Sequence, residues 1–137
     1  MNLRHAAREA ALQILYLCEI GGAAPGVALD TFFAEHQPEA VPEVRAFAAV
    51  LVTGATEDRA GLDALIAAHS TNWRLERIAV IDRLILRMAT WELQRQPDTP
   101  PAVVINEAIE LARAFATDES PKFVNGVLDS IRKALGS

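Results

Sequence analysis

Apolar residues recur along this chain at the three- to four-residue spacing of amphipathic helices, and no stretch shows the alternation of a half-buried strand. On a wheel turning about 100° per residue, Leu3, Ala7, Ala10, Ile14, Leu17 and Cys18 share one face of a helix over 3–20, which Gly21-Gly22 closes. A shorter helix is predicted over 26–36, carrying Val27, Leu29, Phe32 and Phe33, with Pro38 and Pro42 marking the next break. From Glu43 to Ala68 the spacing of Val44, Phe47, Ala48, Leu51, Val52, Ala55, Leu62, Leu65 and Ile66 reads as one long helix, kinked or split at Gly54 or Gly61.

HSTNW (69–73) reads as a capping and linking segment. Leu75 to Gln94 then gives the strongest helical signal, with a break near Ala79. PDTPP (97–101) is a stop and a restart, after which Pro101 to Ala116 forms a helix with Val104, Ala108, Leu111, Ala112 and Phe115 inward. The last helix spans 120–135, with Ser120 as its cap and Pro121 in its first turn. The pattern predicts an all-α protein with a subdomain joint near residues 69–74.

At 137 residues and 51% hydrophobic composition there is ample material for a packed interior, and an aromatic share of only 6% suits helices filled by alanine and leucine. A net charge of -5 removes any global basic field, so nucleic-acid contact requires a local patch or a partner's charge. The single cysteine, Cys18, excludes an internal disulfide and a four-cysteine zinc site, and its place on an apolar face reads as structural. His5, His36 and His69 fall in separate segments without ligand spacing, and neither a phosphate-binding loop nor a metalloprotease motif occurs. No metal, cofactor or catalytic residue is therefore expected. No apolar run reaches the ~18 residues of a membrane span, and MNLRHAAREA is too polar for a secretory signal. These features predict a soluble cytoplasmic protein that binds rather than catalyses.

Three features point to binding. Arg4 and Arg8 lie four residues apart with His5 beside them, at a helix start whose dipole opposes cations. This is either a solvated helix end or an anion site. Phe123 lies at the edge of its helix's apolar stripe, some 40° from the nearest stripe residue, with Lys122 and Asn125 on the polar side. It either fills a core or stacks on an unpaired base while lysine and helix amides hold phosphate. Third, the helix over 78–93 has two apolar arcs, and the second (Ile78, Leu86, Ala89, Leu93) has Asp82 in its middle. Either the helix is central in a bundle, or a protein partner covers the second arc and brings Asp82 a cation.

The segments RHAAREAALQILYLCE (4–19), LERIAVIDRLILRMATWEL (75–93) and INEAIELARAFATDESPKFVNGVLDSIRK (105–133) resemble the NusB family of bacterial transcription antitermination factors. The resemblance runs over essentially the whole chain, and the last segment is the most specific. It implies about seven helices in two three-helix subdomains, divided here as 1–70 and 71–137 within one NusB-like domain. It also implies binding of boxA RNA in ribosomal RNA operon leaders as a heterodimer with NusE, a small-subunit ribosomal protein, within an RNA polymerase antitermination complex that also supports ribosomal RNA maturation. The implied RNA contacts are Arg4, His5, Arg8, Lys122 and Phe123, and the implied NusE contacts are Glu76 and Asp82. Ala6 and Ala7 stand where many members carry more arginine, and Asp118 and Glu119 place negative charge beside the RNA site. Three or four phosphate contacts would make log K fall by about 3 per decade of salt, so NusE is expected to supply much of the affinity. The alternatives are an adaptor of the same fold with little RNA affinity, and a homodimer through the second apolar arc.

Overall fold

The computed structural model describes residues 2–70 and 74–136. Seven α-helices account for most of them, and no strand occurs among the described residues. Their contacts divide the chain after Glu57 into two units.

The first unit contains α1 (Leu3–Gly21), α2 (Pro25–His36) and α3 (Pro42–Glu57). Asn2 caps α1, its Oδ1 accepting the His5 N–H at 3.0 Å. Gly22 ends the helix at φ 72°, a left-handed conformation that glycine adopts at little cost, and its N–H donates to the Cys18 carbonyl at 3.0 Å. The glycine pair is therefore the stop that the sequence predicts. Pro25 sits in the first turn of α2, where its missing N–H is not needed. Ala7, Ala10, Ala11, Leu12, Ile14, Phe32, Phe33, Ala48, Leu51 and Val52 form the core. The loop between α2 and α3 is held by Arg45, which donates from Nη2 to the Pro38 carbonyl at 2.8 Å and from Nε to the Ala40 carbonyl at 3.2 Å. Its guanidinium lies 5.1 Å from the Phe33 ring centroid.

The second unit contains α4 (Arg59–His69), a 3-10 turn (Leu75–Arg77), α5 (Val80–Arg95), α6 (Pro101–Phe115) and α7 (Ser120–Ala134). The long helix expected over 43–68 is split at Asp58, between the two candidate glycines. Gly61 permits this turn: a Cβ there would stand 2.8 Å from Asp58 Oδ1. The division at 57/58 falls earlier than the boundary expected at residue 70 because α4 packs on α5 and α7. Two side-chain links hold it there. Arg87 on α5 grips Asp63 on α4 through two bonds, of 2.6 and 3.0 Å, and His69 Nδ1 lies 2.7 Å from Ser130 Oγ on α7. Of the linking segment at 69–73, residues 71–73 lie outside the described residues.

The helix α5 packs against α4, α6 and α7, and most of both its apolar arcs is buried, with Val80, Ile81, Trp91 and Leu93 partly exposed. Ile78, Leu86 and Ala89 of the second arc are 4%, 0% and 3% exposed. This corrects the partner-surface reading of that arc: a helix apolar all round is here the centre of its bundle. A homodimer through the same arc loses its surface for the same reason. The break near Ala79 is present, since the 3-10 turn ends at Arg77 and Ala79 precedes α5.

Candidate nucleic-acid interface

The residues expected at the site fall into two groups, one in each unit. In the first unit, Arg4 is exposed, and its guanidinium carbon lies 4.0 Å from the Phe47 ring centroid. The Arg8 guanidinium lies 5.5 Å from the same ring, but Arg8 is only 2% exposed. One aromatic ring thus serves both cations, which offsets the repulsion of like charges at this spacing. The cost that suggested a bridging anion is in part relieved inside the protein. His5 is partly exposed, its Nε2 3.7 Å from Glu9 Oε1. As placed, Arg4 and His5 present polar groups to solvent, whereas Arg8 braces the helix from beneath.

In the second unit, Lys122 is exposed and Phe123 is half-buried, as its position at the stripe edge predicts. Beside them a groove of about 690 Å³ runs between the end of α6 and the start of α7, lined by Ile109, Arg113, Thr117, Pro121, Lys122 and Asn125 together with the acidic Asp118. Arg113 is paired with Glu110 at 2.6 Å. Further along α7, Arg132 and Lys133 both reach Asp129, at 2.6 and 3.1 Å, and these bonds hold that carboxyl below the usual aspartate range.

Ser120 does not cap α7 as the sequence suggests. The residue before the helix is Glu119, and Ser120 is 2% exposed with its hydroxyl turned inward. Its oxygen accepts the Thr117 N–H at 3.3 Å and lies 3.1 Å from Thr117 Oγ1. The hydroxyl thus bonds back to the turn before α7 and does not cap the helix.

Glu76, in the 3-10 turn, is exposed, while Asp82, in the first turn of α5, is 8% exposed with Oδ1 buried and unpartnered. In this arrangement a partner's cation reaches Glu76 directly but not Asp82 Oδ1. Burial raises the Asp82 pKa above its ordinary value, against a smaller lowering by the Ser120 hydrogen bond. A carboxyl raised on folding binds protons more tightly in the native state, so its stabilising contribution is full below the unfolded pKa and declines as pH rises through the folded one. The melting temperature of the native chain relative to Asp82→Asn should therefore be higher near pH 4 than at pH 7. Paired thermal melts at the two pH values test this, and a constant difference would contradict it.

A third surface was not visible in the sequence. Tyr16, Leu17 and Ile20 are 40%, 40% and 60% exposed on the second half of α1, although the wheel turned Leu17 inward. Phe115, also expected inward, is 37% exposed at the end of α6. Cys18 is partly buried, and burial together with neighbouring Glu19 raises its thiol pKa, in keeping with a structural role. Among the described residues, no group of three or more histidine, cysteine, aspartate or glutamate side chains is arranged to hold a metal ion. No helix is long and apolar enough to cross a membrane among the described residues.

Comparison with known proteins places these surfaces in context. The sequence model of the NusB family matches residues 5–133. The transcription antitermination protein NusB of Sorangium cellulosum is 47% identical over 136 residues, covering 99% of this chain and 96% of that protein. The protein of the same name from Myxococcus xanthus is 44% identical over 137 residues, with 98% of each covered. Among solved structures, T. maritima NusB superposes with a TM-score of 0.87 at 34% identity, covering 95% of this chain and 90% of that one. A chain from a crystal structure of antitermination factors NusB and NusE in complex with dsRNA superposes at 0.88, with 28% identity and 98% of each chain covered.

Proposed function

The chain belongs to the NusB family, and from that premise we propose that it is an antitermination factor that binds boxA RNA of ribosomal RNA operon leaders as a heterodimer with NusE. The observation that carries the RNA reading is the opening of α7, where a half-buried phenylalanine at a stripe edge follows an exposed lysine that lines a groove. Such an aromatic offers a face to a base, while Lys122 and the exposed Arg4 and His5 hold phosphate. Arg8 acts through Phe47 and Arg4 and not by direct contact. In the cytoplasm this complex joins the RNA polymerase antitermination assembly, supporting read-through and ribosomal RNA maturation.

With Arg8 withdrawn, about three contacts to single-stranded RNA remain, so log K of the lone chain should fall by roughly 2 per decade of salt. A slope of 4 or more would mean that further cations take part. Phe47→Leu keeps apolar volume but removes the ring under Arg4, an interaction of ~0.5–1 kcal/mol. The expected result is about a two- to fivefold loss of RNA affinity by fluorescence anisotropy, with little change in melting temperature.

For NusE the accessible features are the apolar strip Tyr16, Leu17 and Ile20 and the carboxylate of Glu76. Ile20→Asp and Glu76→Lys test these two features separately by titration calorimetry against purified NusE. Ile20→Asp is expected to weaken the complex about tenfold or more, which is ~1.4 kcal/mol. Native affinity in either variant would remove that feature from the account.

A second reading, a protein adaptor with little RNA affinity, is favoured by the buried Arg8 and by the exposed acids Asp118 and Glu119 beside Lys122. It predicts that the NusE-surface variants abolish function while Phe123→Ala leaves it intact.

A further inference from the structure

The helix α3 buries Val44, Ala48, Leu51, Val52 and Ala55 within its own unit, yet its outer face is also without charge. Ala46, Val50, Thr53 and Thr56 are exposed there, and no charged side chain occurs between Arg45 and Glu57. Val50 alone is 41% exposed. A helix that meets only its own core and solvent ordinarily carries charged residues opposite its apolar stripe. Ala49, on the same stretch, lines a groove of about 550 Å³ between α2 and α3, whose walls include Leu29, Asp30, Phe33, Ala34 and Arg45. The two alanines keep the groove open to a bulkier apolar group. Through Ala49 it continues the uncharged face of α3.

The charges carried by α2, α3 and the loop between them are almost all of one sign. Residues 25–57 hold five carboxylates, Asp30, Glu35, Glu39, Glu43 and Glu57, against one arginine, Arg45, and one histidine, His36. All five carboxylates are exposed, and none makes an ion pair among the described residues. Arg45 is turned to the loop, donating to the Pro38 and Ala40 carbonyls at 2.8 and 3.2 Å. The field of these carboxylates repels RNA and a second copy of the chain alike, and attracts a cationic partner.

We propose that the α2–α3 face is a docking surface for a basic amphipathic helix of a protein partner. The aliphatic side chains of that helix cover Ala46, Ala49 and Val50 and enter the groove, in the manner of a helix laid in an apolar channel. Its lysines or arginines meet Asp30 and Glu39. The role is separate from RNA binding and does not depend on it.

The test records amide chemical shifts of the full chain during titration with two synthetic peptides patterned as amphipathic helices. One is made of leucine and lysine, the other of leucine and glutamate. The lysine peptide should shift the amides of Asp30, Ala34, Ala46, Ala49 and Val50, and the glutamate peptide should leave them in place. Val50→Lys and Asp30→Lys, both at exposed positions, should each weaken the lysine peptide by about fivefold or more, as like charges at a contact do. Their melting temperatures should stay close to native. Asp98→Lys, outside this unit, makes the same change in net charge as Asp30→Lys and should weaken it by less than about twofold once salt screens the general field. Equal losses in Asp30→Lys and Asp98→Lys would reduce the effect to net charge and overturn the proposal. Equal binding of the two peptides, or no shifts on α2 and α3 with the lysine peptide in excess, would overturn it as well. A boxA RNA that shifts the same amides would make the face part of the RNA site instead. A dimer in light scattering that Val50→Lys dissolves would make it a contact between two copies.

Discussion

Phe123→Ala should weaken the binding of boxA RNA in the presence of NusE by about fivefold to a hundredfold, the range given by the ~1–3 kcal/mol of one base–aromatic stack. Val124, Val127, Leu128 and Ile131 of the same helix are 0–4% exposed and form the core, whereas Phe123 is half-buried at their edge. A ring so placed is not fully covered by the protein. Because it is half-buried, truncation to alanine also costs packing, and a loss of affinity could come from a loosened helix. Phe123→Leu separates the two effects: it restores most of the apolar volume without a planar face. Leucine is expected to recover the melting temperature but not the RNA affinity. Recovery of both would mean that the ring is filler. Lys122→Ala should instead weaken all RNAs alike and reduce the salt slope by somewhat under 1, as the loss of one phosphate contact does.

The largest effect on stability is expected at Asp63, a residue with no assigned role in binding. Its carboxylate meets the Arg87 guanidinium through Oδ1 at 2.6 Å and Oδ2 at 3.0 Å, and Arg87 is 4% exposed. Removing one partner of such a pair leaves a buried charge without its bidentate acceptor, which costs about 3–5 kcal/mol in fully buried cases. Asp63 is 18% exposed by side chain, so Asp63→Ala should fall at or below the low end, ~2–3 kcal/mol. The control is the Arg113–Glu110 pair, also 2.6 Å long but 62% and 55% exposed. Glu110→Ala should change stability by less than about 0.5 kcal/mol. Urea denaturation of the three proteins reads both values, and equal effects would show that burial does not govern these pairs. Since Arg87 joins α5 to α4, its loss is also expected to loosen α4 first. That would appear as faster amide exchange in residues 59–69 than in α7.

The helix ends were legible in the sequence because each has a local cause. Gly21-Gly22, Pro25, Pro42 and PDTPP act on their own backbone, and the structure places ends at all of them. The split at Asp58 was not legible: the apolar spacing runs through it without a change of period, and only the turn conformation breaks the helix. Periodicity was equally silent about the second arc of α5. A central helix and a helix awaiting a partner carry the same pattern, and the packing of α4, α6 and α7 decides between them. Leu17 is a stripe-edge residue, for which the wheel gives direction but not cover, whereas Phe115 lies mid-stripe but is the last residue of α6. Of the candidate site, Phe123 and Lys122 were readable from one turn of one helix. The bracing of Arg4 and Arg8 by Phe47 was not, since those residues are some forty apart in sequence.

The most direct measurement is fluorescence anisotropy of a boxA RNA and a scrambled RNA of equal composition, each titrated with the native chain alone and with NusE. The account predicts weak, salt-sensitive and poorly selective binding by the chain alone, and clear preference for boxA once NusE is present. Equal affinity for the two RNAs with no gain from NusE would contradict it, leaving a protein whose contacts are with other proteins.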